Sequence, residues 1–445
     1  MTHDSPRPYR AAVARALLLA VLAVLAPAAQ AQTTTDPNLM IDVVVPQGSG
    51  LSQPTTMKFL GPNDALVLEK ATGRVRRVMG TPMTLQAGFV LDVNVNSSSE
   101  RGMLGIAIAQ GAPIHVFLYY TEAQGADGGT PLGNRVYRYD WNPAGAGTLI
   151  NPLLVLDLPV LPGPNHDAGV ILIEPGTGLL YAMIGDLNHS GQLQNQPNGA
   201  APDNTGVIFR VNQDGSPAAG NPFTPYCSVT TTTTCTTTAN CPGGETCITN
   251  VARYYAYGVR NGFGIEFDPA NNNALWMSEN GPNDFDELNK VNAGMNGGWN
   301  QIRGPGVPAV QWNVPGAGNT YSQPEFSWQQ VVVPTGVNFP FAMTWGPTYN
   351  DKILVANNSA GDIYSFPLNV ARDGLNVAAL PPALQDLVAN NTTEANLVRL
   401  GQGFGAITDL EVGPDLHLYV VDIALGRIFR IRGQFPVSLQ SFSVQ

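Results

Sequence analysis

Six stretches of this chain repeat one grammar: an apolar alternating strand, a turn, a second apolar strand, and often a closing G-x-apolar-x-R strand. They start at Thr56 (TMKFLGPNDALVLEKATGRVRRV), Met103 (MLGIAIAQGAPIHVFLYYTE), Gly169 (GVILIEPGTGLLYAMIGD), Gly264 (GIEFDPANNNALWMSEN), Ala342 (AMTWGPTYNDKILVANNSAGDIYSF) and Asp409 (DLEVGPDLHLYVVDIALGRIFRI). A small twisted sheet with two apolar faces cannot bury both alone. Arranged radially, each sheet packs on both neighbours and the ring closes without a long exposed edge. The repeat therefore predicts an all-β fold, a six-bladed β-propeller of four-stranded antiparallel blades. The strand LMIDVVV at 39–45 is placed to complete the last blade and lock the circle. A pair of β-sandwiches would not require six copies of one pattern. Composition agrees: 48 Gly and 36 Pro with only 12% charged residues point to many tight turns and few exposed helices.

The first residues stand apart from the repeat. Arg7, Arg10 and Arg15 precede the apolar run ALLLAVLAVLA at 16–26, and Ala29-Gln30-Ala31 offers a small-x-small cleavage pattern. This reads as a secretory signal peptide over residues 1–31, leaving 32–445 as one propeller domain; an uncleaved anchor is the rival reading. No later stretch reaches the length of a membrane span. The expected location is secreted or periplasmic. A net charge of −11 argues against nucleic acid as a partner.

All four cysteines, Cys227, Cys235, Cys241 and Cys247, fall in one Thr-rich stretch at about 225–249. In an exported chain they read as two disulfides stapling an insertion, with three possible connectivities. A closed zinc site is the rival, disfavoured by the lack of a CxxC pair or a nearby histidine. The insertion falls between the third and fourth units.

His166, one of five histidines, follows the turn Pro162-Gly163-Pro164 and precedes an apolar strand. Taken alone it suits a structural histidine satisfying loop carbonyls as well as it suits a base. The surrounding motifs add a resemblance. YGVRNGFGIEFDP, then SENGPNDFDELNKVNAGMNGGWN, with LEKATGRVRRV, SERGMLGIAI and LLYAMIGDLNHSGQ, resemble segments of the soluble PQQ-dependent glucose/sorbosone (aldose sugar) dehydrogenases over about residues 50–435. That family is built as a six-bladed propeller, in agreement with the repeat. The resemblance implies that His166 takes the sugar C1 hydroxyl proton while hydride passes to pyrroloquinoline quinone (PQQ), with Asp186 orienting the imidazole. An imidazole titrating near neutral pH suits that task.

The resemblance assigns Arg260 and Asn261 to the quinone oxygens, the guanidinium stabilising charge that develops on reduction. It places Glu100, Asn280 and Asp286 beside the cofactor. The backbone carbonyls of Gly281 and Pro282 become ligands of a Ca²⁺ ion, a cation that accepts carbonyl oxygens. A solvated acidic loop is the plainer reading of Asp284, Asp286 and Glu287, and a buried brace that of Arg260.

The resemblance breaks at the cofactor's carboxylates. PQQ carries three, which the family neutralises with a lysine and two arginines; the aligned residues here are Ser359, Ala406 and Thr408. Each missing charge-assisted bond is worth about 1.5–3 kcal/mol. Arg303, Arg399 and Lys352 are the candidate cations in sequence to stand in for them. The leading reading is an exported aldose dehydrogenase forming the lactone, with PQQ, Ca²⁺, a sugar substrate and a separate electron acceptor. The alternatives are a carbohydrate- or protein-binding propeller without PQQ, and a calcium-dependent lactonase-type hydrolase. Lactonase-type sites draw several acidic and amide side chains to the axis, whereas the N-G-P loop offers backbone carbonyls.

Overall fold

A computed structural model describes residues 31–434 apart from 309 and 319, so the expected leader falls, save for Ala31, outside the described residues. Six sheets carry the fold. Their innermost strands are Pro54–Gly61, Met103–Ala109, Ile171–Ile173, Gly264–Asp268, Pro334–Asn338 and Ile407–Val412. Each touches the next in that order, and the last returns to the first. That closed ring is a six-bladed propeller.

The alternation in sequence explains the ring. In the strand Leu180–Ile184, Leu180, Ala182 and Ile184 enter the core shared with the second blade, while Tyr181 and Met183 enter the core shared with the fourth. The first blade divides likewise: Leu66 and Leu68 face the second blade, Ala65 and Val67 the sixth. Successive side chains on a strand point to opposite faces, so such a strand is satisfied only between two neighbours. The six cores between blades use residues of this kind throughout. Near the axis the backbones close to contact, and a Cβ on Gly105 would stand 2.1 Å from the Gly169 carbonyl oxygen.

The strand Leu39–Val45 pairs antiparallel with Arg427–Gly433 and completes the sixth blade, as its position in sequence led us to expect. Three blades depart from four strands: the first carries two short outer strands, Thr84–Leu85 and Leu91–Asp92, both on Arg74–Met79. Thr33–Thr34 adds a fifth strand to the fifth blade, and Val388–Ala389 adds one parallel to Phe326–Trp328 in the fourth. The cysteine insertion also sits elsewhere than expected. It leaves the third blade after its third strand, Val207–Val211, and returns at its fourth, Tyr254–Tyr257, so it interrupts that blade rather than separating two blades. Cys227 pairs with Cys241 and Cys235 with Cys247, and the four sulfurs' residues form a small core of their own. Among the described residues no helix is long and apolar enough to cross a membrane.

Candidate active site

Strands alternate in direction within a blade, so the chain enters every first strand and leaves every second strand on the same face of the ring. Glu100, His166, Arg260 and Asn261 precede first strands; Asp186 and the run Asn280-Gly281-Pro282 follow second strands. Topology alone therefore brings residues from the second, third and fourth blades to one mouth.

His166 sits at its centre, buried, with left-handed backbone (φ 64°). Such a conformation is costly for a residue with a Cβ and persists where surrounding contacts impose it. Those contacts are specific. The His166 backbone N–H donates to Glu100 Oε2 at 2.6 Å, and its ring Nδ1 lies 2.6 Å from Asp186 Oδ1. Ring Nε2 lies 2.8 Å from Arg260 Nη2. A guanidinium nitrogen can only donate, so Nε2 accepts and the ring proton resides on Nδ1, donated to Asp186. His166 is thereby fixed in the Nδ1–H tautomer, its Nε2 lone pair engaged by Arg260.

The other members are held as firmly. Asp186 accepts the Trp299 indole N–H at Oδ2 (2.6 Å) and the Asn188 N–H at Oδ1 (2.8 Å). Arg260 lies over the Trp299 ring, its guanidinium carbon 5.3 Å from the centroid. Its Nη1 donates to the Asn280 carbonyl at 2.7 Å and the Gly281 carbonyl at 3.0 Å. Asn261 Nδ2 donates to Glu100 Oε2 at 3.0 Å. Gly185 explains the glycine of the IGD stretch: a Cβ there would stand 2.3 Å from the His166 carbonyl oxygen and 2.5 Å from that of Arg260.

Burial sets the charge balance. It pushes the Glu279 carboxyl, which accepts the Arg260 backbone N–H, above the usual carboxylate range, with the Glu287 charge adding to the effect. Burial also raises Glu287 to about 7 and lowers the Arg260 guanidinium. Desolvation disfavours the charged form in each case. Beside the network opens a cavity of about 180 Å³ whose wall includes Glu100, Leu104, Val170, Phe263, Thr408 and Lys70.

Most residues singled out in sequence converge here: His166, Asp186, Arg260, Asn261, Glu100, Asn280 and Gly281, with Pro282 next in the same turn. Asp286 plays a different part. Its Oδ1 accepts the Gly281 N–H (2.8 Å) and its Oδ2 the Val332 (2.6 Å) and Val333 (2.8 Å) N–H groups, so it braces the turn rather than facing a ligand. The three expected cation positions are neutral and engaged. Ser359 Oγ donates to Asn357 Oδ1, the Ala406 N–H to Asp422 Oδ1, and Thr408 Oγ1 to the Pro54 carbonyl. Of the stand-ins, Lys352 opens a second strand and so lies at the opposite face. Arg399, on the fifth blade's outer flank, pairs with Asp362 at 3.7 Å. Arg303 pairs with Asp284 at 3.0 Å on the exposed rim. Sequence reading passed over Trp299, Glu279 and Lys70, although GGWN, SEN and LEK carry them.

Comparison with known proteins decides the lineage. The Glucose / Sorbosone dehydrogenase family profile matches residues 51–430. The chain belongs to that family. It is 26% identical over 276 residues to quinoprotein glucose dehydrogenase B of Acinetobacter calcoaceticus, covering 58% of this chain and 52% of that protein. The chain thus spans about half the length of that relative. It is 23% identical over 391 residues to aldose sugar dehydrogenase YliI of Escherichia coli, covering 86% and 90% of the two chains. Among solved structures, the PQQ-bound aldose sugar dehydrogenase of Streptomyces coelicolor superposes with a TM-score of 0.61 at 22% identity, covering 88% of this chain and 98% of that one. At such identity the superposition speaks for the fold of this member of the family, and the site must be argued from its own residues.

Proposed function

We propose that this protein is an exported, PQQ-dependent sugar dehydrogenase that oxidises an aldose at C1 to the lactone with help from calcium. The observation that carries the reading is the neutral His166 imidazole, held at Nδ1 by Asp186 and presenting Nε2 beside Arg260 at the mouth. Export rests on the N-terminal leader pattern and on the two disulfides, which belong to oxidising compartments.

The residues fit a quinone with polar edges. Arg260 Nε, Asn261 Oδ1 and Asn280 Oδ1 are buried without a hydrogen-bond partner, a situation buried polar atoms normally resolve. Arg260 and Asn261 would hold the quinone oxygens, and the apolar wall of Leu104, Val170 and Phe263 suits a planar ring. PQQ, when bound, supplies the two-electron acceptor for the hydride leaving C1. The carbonyls of Gly281 and Pro282 are hard oxygen donors of the kind calcium takes. Arg260 Nη1 donates to the Gly281 carbonyl, so a metal held there would compete with the guanidinium for that oxygen.

The protein's own part is to hold the sugar hydroxyl and move its proton. His166 accepts the C1 hydroxyl proton at Nε2 once Arg260 Nη2 yields that position, and Asp186 steadies the imidazolium that results. Trp299 keeps the Asp186 carboxylate aimed at Nδ1 throughout. The test is reconstitution with PQQ and Ca²⁺, following quinone absorbance and aldose oxidation with an artificial acceptor. His166→Ala should retain PQQ affinity within about several-fold and lose roughly 10²–10⁴ of the rate, the usual worth of a general base. An unchanged rate in that variant removes His166 from the chemistry. A second reading, a binding propeller without PQQ, draws on the neutral side chains at Ser359, Ala406 and Thr408; absence of any quinone binding would favour it.

A further inference from the structure

We propose that Lys70, on the first blade, supplies the cation that holds a carboxylate of the quinone, moving to a neighbouring wall of the cavity a charge absent from the fifth and sixth blades. The inference rests on the PQQ reading above and deepens it. Lys70 is the one cation among the residues lining the cavity, and Thr408, a position where the resemblance leads one to expect arginine, lines the same space. Its Nζ donates to the Ser97 carbonyl at 3.2 Å and the Ser99 carbonyl at 2.8 Å. Among the described residues no carboxylate pairs with it, although its neighbours Arg76, Arg77 and Arg101 each have one. An ammonium has three N–H donors, so one remains for a ligand.

The backbone that carries this side chain is also held in place. The Lys70 N–H donates to the Gln53 carbonyl, and its own carbonyl accepts the Met103 N–H, both at 3.0 Å. Gly102, in the SERGM stretch, leaves room for it: a Cβ there would stand 2.8 Å from Lys70 Cγ and 2.5 Å from its carbonyl oxygen. A charge that is partly desolvated, in no salt bridge and set at a cavity wall favours an anionic group opposite it, the Asp167 and Glu100 carboxylates acting on it only from beyond ion-pair distance. Glu100, the acidic member of the wall, already spends Oε2 on the His166 and Asn261 N–H groups.

The experiment measures binding rather than turnover: calorimetric titration of PQQ and of its uncharged trimethyl ester into the full protein. Lys70→Gln retains donors for the Ser97 and Ser99 carbonyls, and Lys70→Met removes them too; thermal denaturation checks that each folds. Both should weaken PQQ by roughly 10- to 100-fold, leave the ester within about a few-fold, and flatten the dependence of PQQ affinity on NaCl. Adding Thr408→Arg to either should restore PQQ affinity, returning the charge to the sixth blade. If the folded Lys70→Gln protein binds PQQ as the parent does, Lys70 is not the anchor while the dehydrogenase reading stands. If acid and ester lose affinity equally, Lys70 acts through structure and the inference also fails. If the parent binds neither compound, the dehydrogenase reading itself falls.

Discussion

Asp186→Asn separates the charge of the carboxylate from its shape and attacks the tautomer directly. Asp186 Oδ1 receives the His166 ring proton and the Asn188 N–H, and Oδ2 receives the Trp299 N–H. All three partners donate, and an amide can accept at only one of the two positions. With its NH₂ at the Oδ2 position, the amide meets the indole N–H donor to donor. With its NH₂ at the Oδ1 position, it opposes the Asn188 N–H and drives the imidazole proton to Nε2, where Arg260 Nη2 also donates. Either arrangement breaks a charge-assisted bond worth about 1.5–3 kcal/mol. The second also abolishes the base. Nitrogen-15 spectra of labelled protein should show His166 protonated at Nδ1 in the parent, and in the variant either protonation at Nε2 or a mixture. In the reconstitution assay, aldose oxidation should fall by roughly 10²–10⁴. A parent spectrum with the proton on Nε2, or a variant with parental tautomer and rate, would refute the assignment of Asp186 as orienter.

Stability should fall as pH rises from about 5 to about 8. Along the axis, the Lys58 ammonium faces three carboxylates, Glu266, Asp409 and Glu411, and burial raises Asp409 to about 6 and Glu411 to about 8. Elsewhere burial raises Asp167 to about 6 and Glu287 to about 7. Folded-state values above the unfolded ones mean that the folded chain binds more protons, so this stabilisation is complete below about pH 4 and drains away as pH passes through 6 to 8. The slope is about 1.4 kcal/mol per pH unit for each excess proton; melting temperatures in EDTA at fixed ionic strength that rise over this range would contradict it. Gly185→Ala should destabilise by about 1–3 kcal/mol, since its Cβ meets two backbone carbonyls that cannot withdraw singly; denaturant unfolding matching the parent would show the mouth to be looser than described. The four cysteines should resist alkylation in the native protein and react after reduction, with peptide mapping returning the 227–241 and 235–247 pairs.

The propeller was legible in the sequence because the second strand of each blade carries apolar residues on both faces, a pattern few other architectures tolerate. What the repeat recorded was three strands per blade. The G-x-apolar-x-R segment that looked like the end of each unit is the third strand, as Arg74–Met79 and Val207–Val211 are. The fourth strands follow no common pattern: Thr148–Leu158 is long and largely exposed, Phe326–Trp328 is three buried residues, and the first blade's is split in two. One face or edge of such a strand meets solvent, so its composition is weakly constrained. That is why the cysteine insertion, which lies between a third and a fourth strand, looked like a separator between blades.

The site divides along a related line. His166, Asp186, Arg260 and Asn261 lie at strand entries and exits, which topology alone delivers to one face, and each sits in a short motif that draws the eye. Trp299 and Lys70 act through contacts that no local window contains. Trp299 reaches Asp186 across 113 residues of sequence, from a connection in the fourth blade to a turn in the third. Lys70 belongs to the site only because the inner ring closes, setting the first blade beside the sixth and Lys70 on the same cavity as Thr408. A search along the chain for lost cations inspects only aligned positions. In a closed ring the same cavity has walls from several blades, so a charge removed from one wall can be supplied from another without leaving a trace at the position where it was lost.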